Sequence, residues 1–155
     1  MKVHSYERAF LIVGAVMLVA FGGALIYASV ALGIHLPDDV SRVDPTTVRN
    51  TPPFDAPGVR LLGPDRYEVV MLASAWQFQP SEIRVPAGAD VTFLATSSDV
   101  IHGLHVEDSR VNMMLIPGQV SRNSYTFEEP GEYLMVCHEY CGLLHHAMYG
   151  RVVVE

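Results

Sequence analysis

The chain begins with an apolar block and continues as short alternating segments. No charged residue occurs from Ala9 to Ile34, a stretch of 26 positions. A helix needs about 20 apolar residues to cross a bilayer, so the block predicts one membrane-spanning helix within residues 1–36. A secretory signal core has only about 7–15 apolar residues, and the longer block reads as an uncleaved anchor. Lys2 and Arg8 precede it and Arg42 is the first basic residue after it. The positive-inside bias then predicts a cytoplasmic N-terminus and a domain on the periplasmic or extracellular side of a prokaryotic cell membrane.

Residues 37–64 read as a Pro-rich connector, because Pro37, Pro45, Pro52, Pro53, Pro57 and Pro64 break every candidate period. After Asp65 the pattern changes to short β segments: Tyr67–Ala73, Glu82–Val85, Val91–Ala95, Ile101–Val106, Ser124–Phe127, Glu132–Val136 and Gly150–Val154. Pro86-Ala87-Gly88 and Glu129-Pro130-Gly131 are the clearest turns between them. Strands at this spacing without a helical period predict an all-β domain, an antiparallel sandwich or barrel over residues 65–155.

Composition sharpens this division. The chain of 155 residues is 50% hydrophobic and 17% charged, and the apolar excess sits largely in the anchor. Residues 37–155 carry 16 acidic against 8 basic side chains, a net charge of −8. Such a balance excludes a nucleic-acid-seeking surface and suits a cationic partner.

The candidate chemistry is concentrated in Cys137-His138-Glu139-Tyr140-Cys141-Gly142-Leu143-Leu144-His145-His146-Ala147-Met148, which holds both cysteines of the chain. This segment lies between two predicted strands and is therefore a loop, able to aim two thiolates, an imidazole and a thioether at one point. That soft donor set favours copper. A further donor is available in Asp99-Val100-Ile101-His102-Gly103-Leu104-His105-Val106. Strand alternation puts His102 on one face with Leu104 and Val106, and His105 on the other. The Leu and Val face is the core face, so His102 is the inward imidazole that needs a partner.

Other readings of the cysteine pair explain less. A structural disulfide is the default outside the cytoplasm, yet it leaves His145, Met148 and His102 without a common role. A structural zinc site ignores Met148. A mononuclear blue-copper site uses one Cys with two His and an axial Met, which makes the second Cys surplus. Two coppers bridged by both sulfurs use the whole set.

At these residues the chain resembles subunit II of the heme-copper cytochrome c oxidases. The loop matches the family's binuclear copper A pattern, Cys-x-Glu/Gln-x-Cys-Gly-x-x-His-x-x-Met, at every fixed position, and Asp99-Val100-Ile101-His102 matches the segment carrying the other histidine. The single anchor and the connector Arg42-Val43-Asp44-Pro45-Thr46-Thr47-Val48-Arg49 resemble the B-type, ba-like branch. The resemblance implies a cupredoxin-like Greek-key β-sandwich. It further implies Cys137 and Cys141 as bridging thiolates, His102 and His145 as one imidazole on each copper, Met148 as a weak ligand of the His102 copper, and Glu139 as a ligand through its backbone carbonyl. In many relatives the corresponding carboxylate helps bind magnesium, whereas close B-type relatives carry Gln there, so the resemblance leaves magnesium at Glu139 open. His146, beside the ligand His145, departs from the pattern.

The implied function is electron entry. One electron passes from reduced cytochrome c to this subunit and on to the heme of subunit I, the membrane partner that reduces oxygen. Trp76 and Phe78 correspond to an aromatic segment near the copper and are candidates for the electron route or the docking face; a lone Trp of a small sandwich can equally be core. The alternatives are the electron-entry subunit of a copper A nitric oxide reductase, a membrane-anchored copper chaperone, and an anchored blue-copper carrier.

Overall fold

The computed structural model describes residues 4–32 and 41–155. Lys2, Ile34 and the start of the connector at Pro37 lie outside the described residues. The chain divides into two compact units, an N-terminal helix and a β domain.

Helix α1 spans Ser5–Ala31, with His4 as its N-cap. At 1.5 Å per residue its 27 residues extend about 40 Å, longer than the roughly 30 Å hydrocarbon core of a bilayer. None of its side chains is buried, although Phe10, Leu18, Phe21 and Leu25 are all apolar. Its most apolar 18-residue window has a mean hydropathy of 2.6, so the helix is long and apolar enough to cross a membrane.

The β domain contains ten strands: β1 (Gly58–Gly63), β2 (Arg66–Ser74), β3 (Gln77–Gln79), β4 (Glu82–Val85), β5 (Asp90–Ser97), β6 (His102–Val106), β7 (Asn112–Leu115), β8 (Ser121–Thr126), β9 (Gly131–Val136) and β10 (Tyr149–Val154). One sheet has the order β1-β2-β5-β8, with β3 added along β2, and the other β4-β10-β9-β6-β7. The pairs β2/β5 and β4/β10 are parallel and the rest antiparallel. Between the sheets lies one core, in which Val69, Met71, Val91 and Phe93 meet Leu104, Met135 and Val152. The all-β sandwich read from the sequence is therefore observed, but its sheets are mixed rather than antiparallel throughout, because β2/β5 and β4/β10 run parallel.

Strand β2 carries the uninterrupted run Val69-Val70-Met71-Leu72-Ala73. A run without alternation predicts burial on both faces, and both are covered. Val69, Met71 and Ala73 enter the main core. Val70 and Leu72 join Leu94, Val120, Val48 and Phe54 in a second core.

Two of those covering residues, Val48 and Phe54, come from the segment read as a connector. That segment is not unstructured: it forms a 3₁₀ turn at Val48–Asn50 and strand β1, which pairs with β2. Its prolines interrupt sequence periodicity without preventing it from lying flat on the sheet. The sequence reading also missed β3 and β7, three and four residues long, too short to establish an alternation. The strand expected from Ile101 begins at His102, and that expected from Ser124 begins at Ser121.

Glycine is required where β10 enters the sheet. A Cβ at Gly150 would stand 2.4 Å from the Ser81 carbonyl oxygen and 2.5 Å from Met135 Cε. This close approach lets β10 run between β4 and β9 immediately after the loop that carries Met148.

Candidate metal centre

Strand β9 aims the loop. The Cys137 N–H donates to the Met148 carbonyl at 3.2 Å, which extends the β9/β10 ladder by one step and closes residues 137–148 at the neck. Within the loop a 3₁₀ turn at His145–Ala147 turns the chain back. Gly142 has φ +118°, in the region that favours glycine. The Trp76 indole occupies the space its side chain would take, with Nε1 3.1 Å from the missing Cβ position. That same Nε1–H donates to the Cys141 carbonyl at 3.2 Å.

The two cysteines are free and buried. Their sulfurs are 3.9 Å apart, far beyond the roughly 2.05 Å of a disulfide. Two thiolates about 2.3 Å from a shared metal, at a tetrahedral angle, would sit about 3.8 Å apart, so the pair is spaced to hold metal. Each sulfur faces a different imidazole. His102 Nδ1 is 3.9 Å from Cys137 Sγ, and His145 Nδ1 is 3.6 Å from Cys141 Sγ. Met148 Sδ stands 3.7 Å from Cys141 Sγ, and the Glu139 carbonyl oxygen 3.3 Å from Cys137 Sγ. Ligating atoms of His102, Cys137 and Cys141 all lie within 4.8 Å of one another. All six residues singled out in the sequence thus converge on the sulfur pair.

His102 is fully buried, with Leu104 and Val106 in the core, as strand alternation requires. His105 is half-buried, its Nδ1 3.1 Å from the Val111 carbonyl. His145 faces the sulfurs, while its neighbour His146 is exposed. His138 lies against Gly103: a Cβ there would come within 2.4–2.6 Å of three atoms of the His138 ring.

Sequence reasoning gave Asp99 no role, yet it organises the buried imidazole. Its Oδ1 is 2.9 Å from His102 Nε2 and accepts from the Val100 N–H at 2.7 Å, while Oδ2 accepts from the Ala75 N–H at 2.6 Å. Burial acts to raise the Asp99 pKa, but the hydrogen bonds from His102, Ala75 and Val100 outweigh it and hold the carboxyl below its ordinary value. A carboxylate accepting at Nε2 makes that nitrogen the protonated one and leaves Nδ1 free for a metal. The signal in the sequence was an acid three residues before the inward histidine.

Burial, together with the adjoining Cys137 sulfur, pushes the Cys141 thiol up to about 11. Without a cation the site therefore keeps a protonated thiol at neutral pH; a metal would displace that proton.

The aromatic candidates part company. Trp76 is half-buried and braces the loop. Phe78 is 2% exposed and packs in the main core, so it presents no docking surface. Charge is unevenly placed over the domain. Asp65, Asp90, Glu128, Glu129 and Glu155 lie in turns or at strand ends opposite the loop, whereas the loop exposes Tyr140, Leu143, Leu144 and, at its exit, Tyr149. At the site itself stand Asp99, bonded to His102, and the partly exposed Glu139.

The family model for the periplasmic domain of cytochrome c oxidase subunit II matches residues 73–155. A cytochrome c oxidase subunit 2 of Thermus thermophilus is 43% identical over 97% of this chain and 92% of its own length. A second subunit 2 from the same species is 48% identical over 75% of this chain and 87% of that protein. Among solved structures, a chain of a heme-copper terminal oxidase dimer superposes with a TM-score of 0.80 at 37% identity, covering 97% of this chain and 99% of that one. The periplasmic domain of a Bradyrhizobium japonicum oxidase subunit II shares the fold, with a TM-score of 0.53 at 20% identity. With a copper-type donor set on a cupredoxin-like sandwich behind one apolar helix, the chain belongs to the cytochrome c oxidase subunit II family: a membrane-anchored, copper-binding part of an oxidoreductase complex with membrane subunit partners.

Proposed function

We propose that this subunit holds a binuclear copper centre and is the point at which electrons enter the oxidase. Cys137 and Cys141 would bridge two coppers, with His102 Nδ1 and His145 Nδ1 as one imidazole on each. Met148 Sδ would be a weak ligand of the His102 copper and the Glu139 backbone carbonyl a ligand of the other. The observation that carries this reading is the unbridged sulfur pair 3.9 Å apart with an imidazole beside each sulfur. A single metal would draw both imidazoles toward one point. When bound, the copper pair supplies a one-electron couple at the end of the sandwich.

The chain's residues do the rest. His102 is held by Asp99 on a buried strand, and Trp76 pins the Cys141–Gly142 step. Cys137, Cys141 and Met148 are 8%, 7% and 2% exposed, so water is largely excluded and little solvent must reorganise when charge changes. The exposed apolar residues around the loop would receive cytochrome c, and the heme of subunit I would take the electron onward. The anchor would place its N-terminus in the cytoplasm and the β domain on the outer side, as in the B-type branch that the single helix supports. A magnesium ion at the Glu139 carboxylate would need further ligands from the membrane partner. Among the described residues, the cluster of three close ligating groups is His102, Cys137 and Cys141.

The test is copper content and electron paramagnetic resonance on the full chain in detergent after loading. Two coppers per chain and hyperfine splitting from two equivalent nuclei are expected. One copper with a four-line pattern would overturn the binuclear reading.

A further inference from the structure

Two imidazoles of the loop, His138 and His146, are left unused by the proposed centre, and of these His146 lines a pocket that reaches the site. His146 sits in the 3₁₀ turn His145–Ala147, where successive side chains point about 120° apart. Since His145 faces Cys141, His146 is turned away from the sulfur pair. It nevertheless lines a surface pocket of about 460 Å³ together with Cys137, His145 and Met148. Leu134, Val136 and Tyr149 complete the walls.

Two other sides of the site are covered. His102 is fully buried and backed by Asp99, and the Trp76 indole covers the Cys141–Gly142 step. The pocket gives a metal ion arriving from solvent a path to Cys137 and Met148. The ion would meet apolar side chains, the Tyr149 phenol and the His146 imidazole before reaching sulfur. Of these, imidazole is the good copper ligand.

We propose that His146 is an entry ligand for Cu(I), taking the ion from its carrier at the pocket mouth and passing it inward to Cys137 and Met148. The inference rests on the copper reading above and adds a loading step to it. Each move is a ligand exchange in which copper stays Cu(I) and no electron is transferred. A carrier–copper bond breaks as the His146 nitrogen–copper bond forms. That bond then breaks as the sulfur of Cys137 binds, its thiol proton passing to water, with Met148 Sδ as a further donor.

The experiment follows copper uptake by the reduced, metal-free full chain in detergent, using the coloured Cu(I)–bicinchoninate complex as donor. Loss of colour gives both the rate and the final copper content. His146→Ala should reach the wild-type copper content and, after oxidation, the wild-type spectrum, but load at least about tenfold more slowly. His138→Ala removes an imidazole that does not line the pocket and should load at the wild-type rate. Equal rates for wild type and His146→Ala would overturn the proposal. So would equal slowing by both variants, or a changed spectrum in loaded His146→Ala, which would make His146 a ligand of the finished centre. If the wild-type chain takes up no copper, it is the copper reading itself that fails.

Discussion

Asp99 Oδ1 lies 2.9 Å from His102 Nε2, on the side of the ring opposite the nitrogen that faces Cys137. The carboxylate fixes the tautomer and makes Nδ1 a stronger donor, which favours the more oxidised state of a bound metal. Asp99→Asn keeps the shape and removes the charge. It should raise the reduction potential of the loaded protein and weaken copper binding by about 10–100-fold, checked by redox titration and chelator competition. An unchanged potential would show that Asp99 only positions the turn.

Most of the donors that converge on the sulfur pair were legible in the sequence because they are local. Cys137, Glu139, Cys141, His145 and Met148 occupy one twelve-residue loop, and His102 was identified by which neighbours shared its face. The supports were harder to read because they act across the fold. Trp76 reaches Cys141 over 65 positions, and Asp99 reaches back 24 to Ala75. The strands with clear alternation were legible too, whereas β1 was hidden among prolines and β3 and β7 were too short. The same limit applies to charge: a net −8 says nothing about which end of the sandwich carries it.

The segment before Gly58 belongs energetically to the β domain. Phe54 is 2% exposed and packs with Val48, Val70 and Leu72 against the outer face of β2. Phe54→Ala should cost about 3–5 kcal/mol, the usual range for a large aromatic removed from a core. The measurement is urea unfolding of the β domain within the full chain in detergent. A loss below about 1 kcal/mol would mean that the segment lies on the sheet without stabilising it.

Electron-donor docking should depend on apolar contact more than on charge. Tyr140 and Leu143, each 79% exposed, flank the loop, and Tyr140 packs edge-on against His145 at 5.9 Å between centroids. The acidic turns are at the other end of the sandwich. In the assembled oxidase, Leu143→Glu should raise KM for cytochrome c about tenfold, equivalent to about 1.4 kcal/mol. Raising salt from about 50 to 300 mM should change the wild-type value far less than it would for a charge-steered pair. A steep salt dependence with no effect of Leu143→Glu would move the docking face to the acidic end.

The Cys141 thiol gives the metal-free protein a distinctive alkaline behaviour. Its pKa is about 11 in the fold, against about 8.5 for a thiol in an unfolded chain. Between those values the native state binds more protons than the unfolded state, so stability falls as pH rises through that window. Below about pH 8.5 the contribution is fully present. Melting of the reduced, metal-free chain should therefore show a larger loss between about pH 8.5 and 10.5 for wild type than for Cys141→Ser, which has no thiol to titrate there. Copper reverses the sense of the dependence. Binding expels the thiol proton, so apparent copper affinity should rise with pH, by up to about tenfold per unit for each proton released. The loaded protein should lose the alkaline difference between wild type and variant at every pH where the variant also retains copper. Equal alkaline slopes in the metal-free pair would show that Cys141 is not the group responsible, and a copper affinity independent of pH would show that the thiol proton is not displaced on binding.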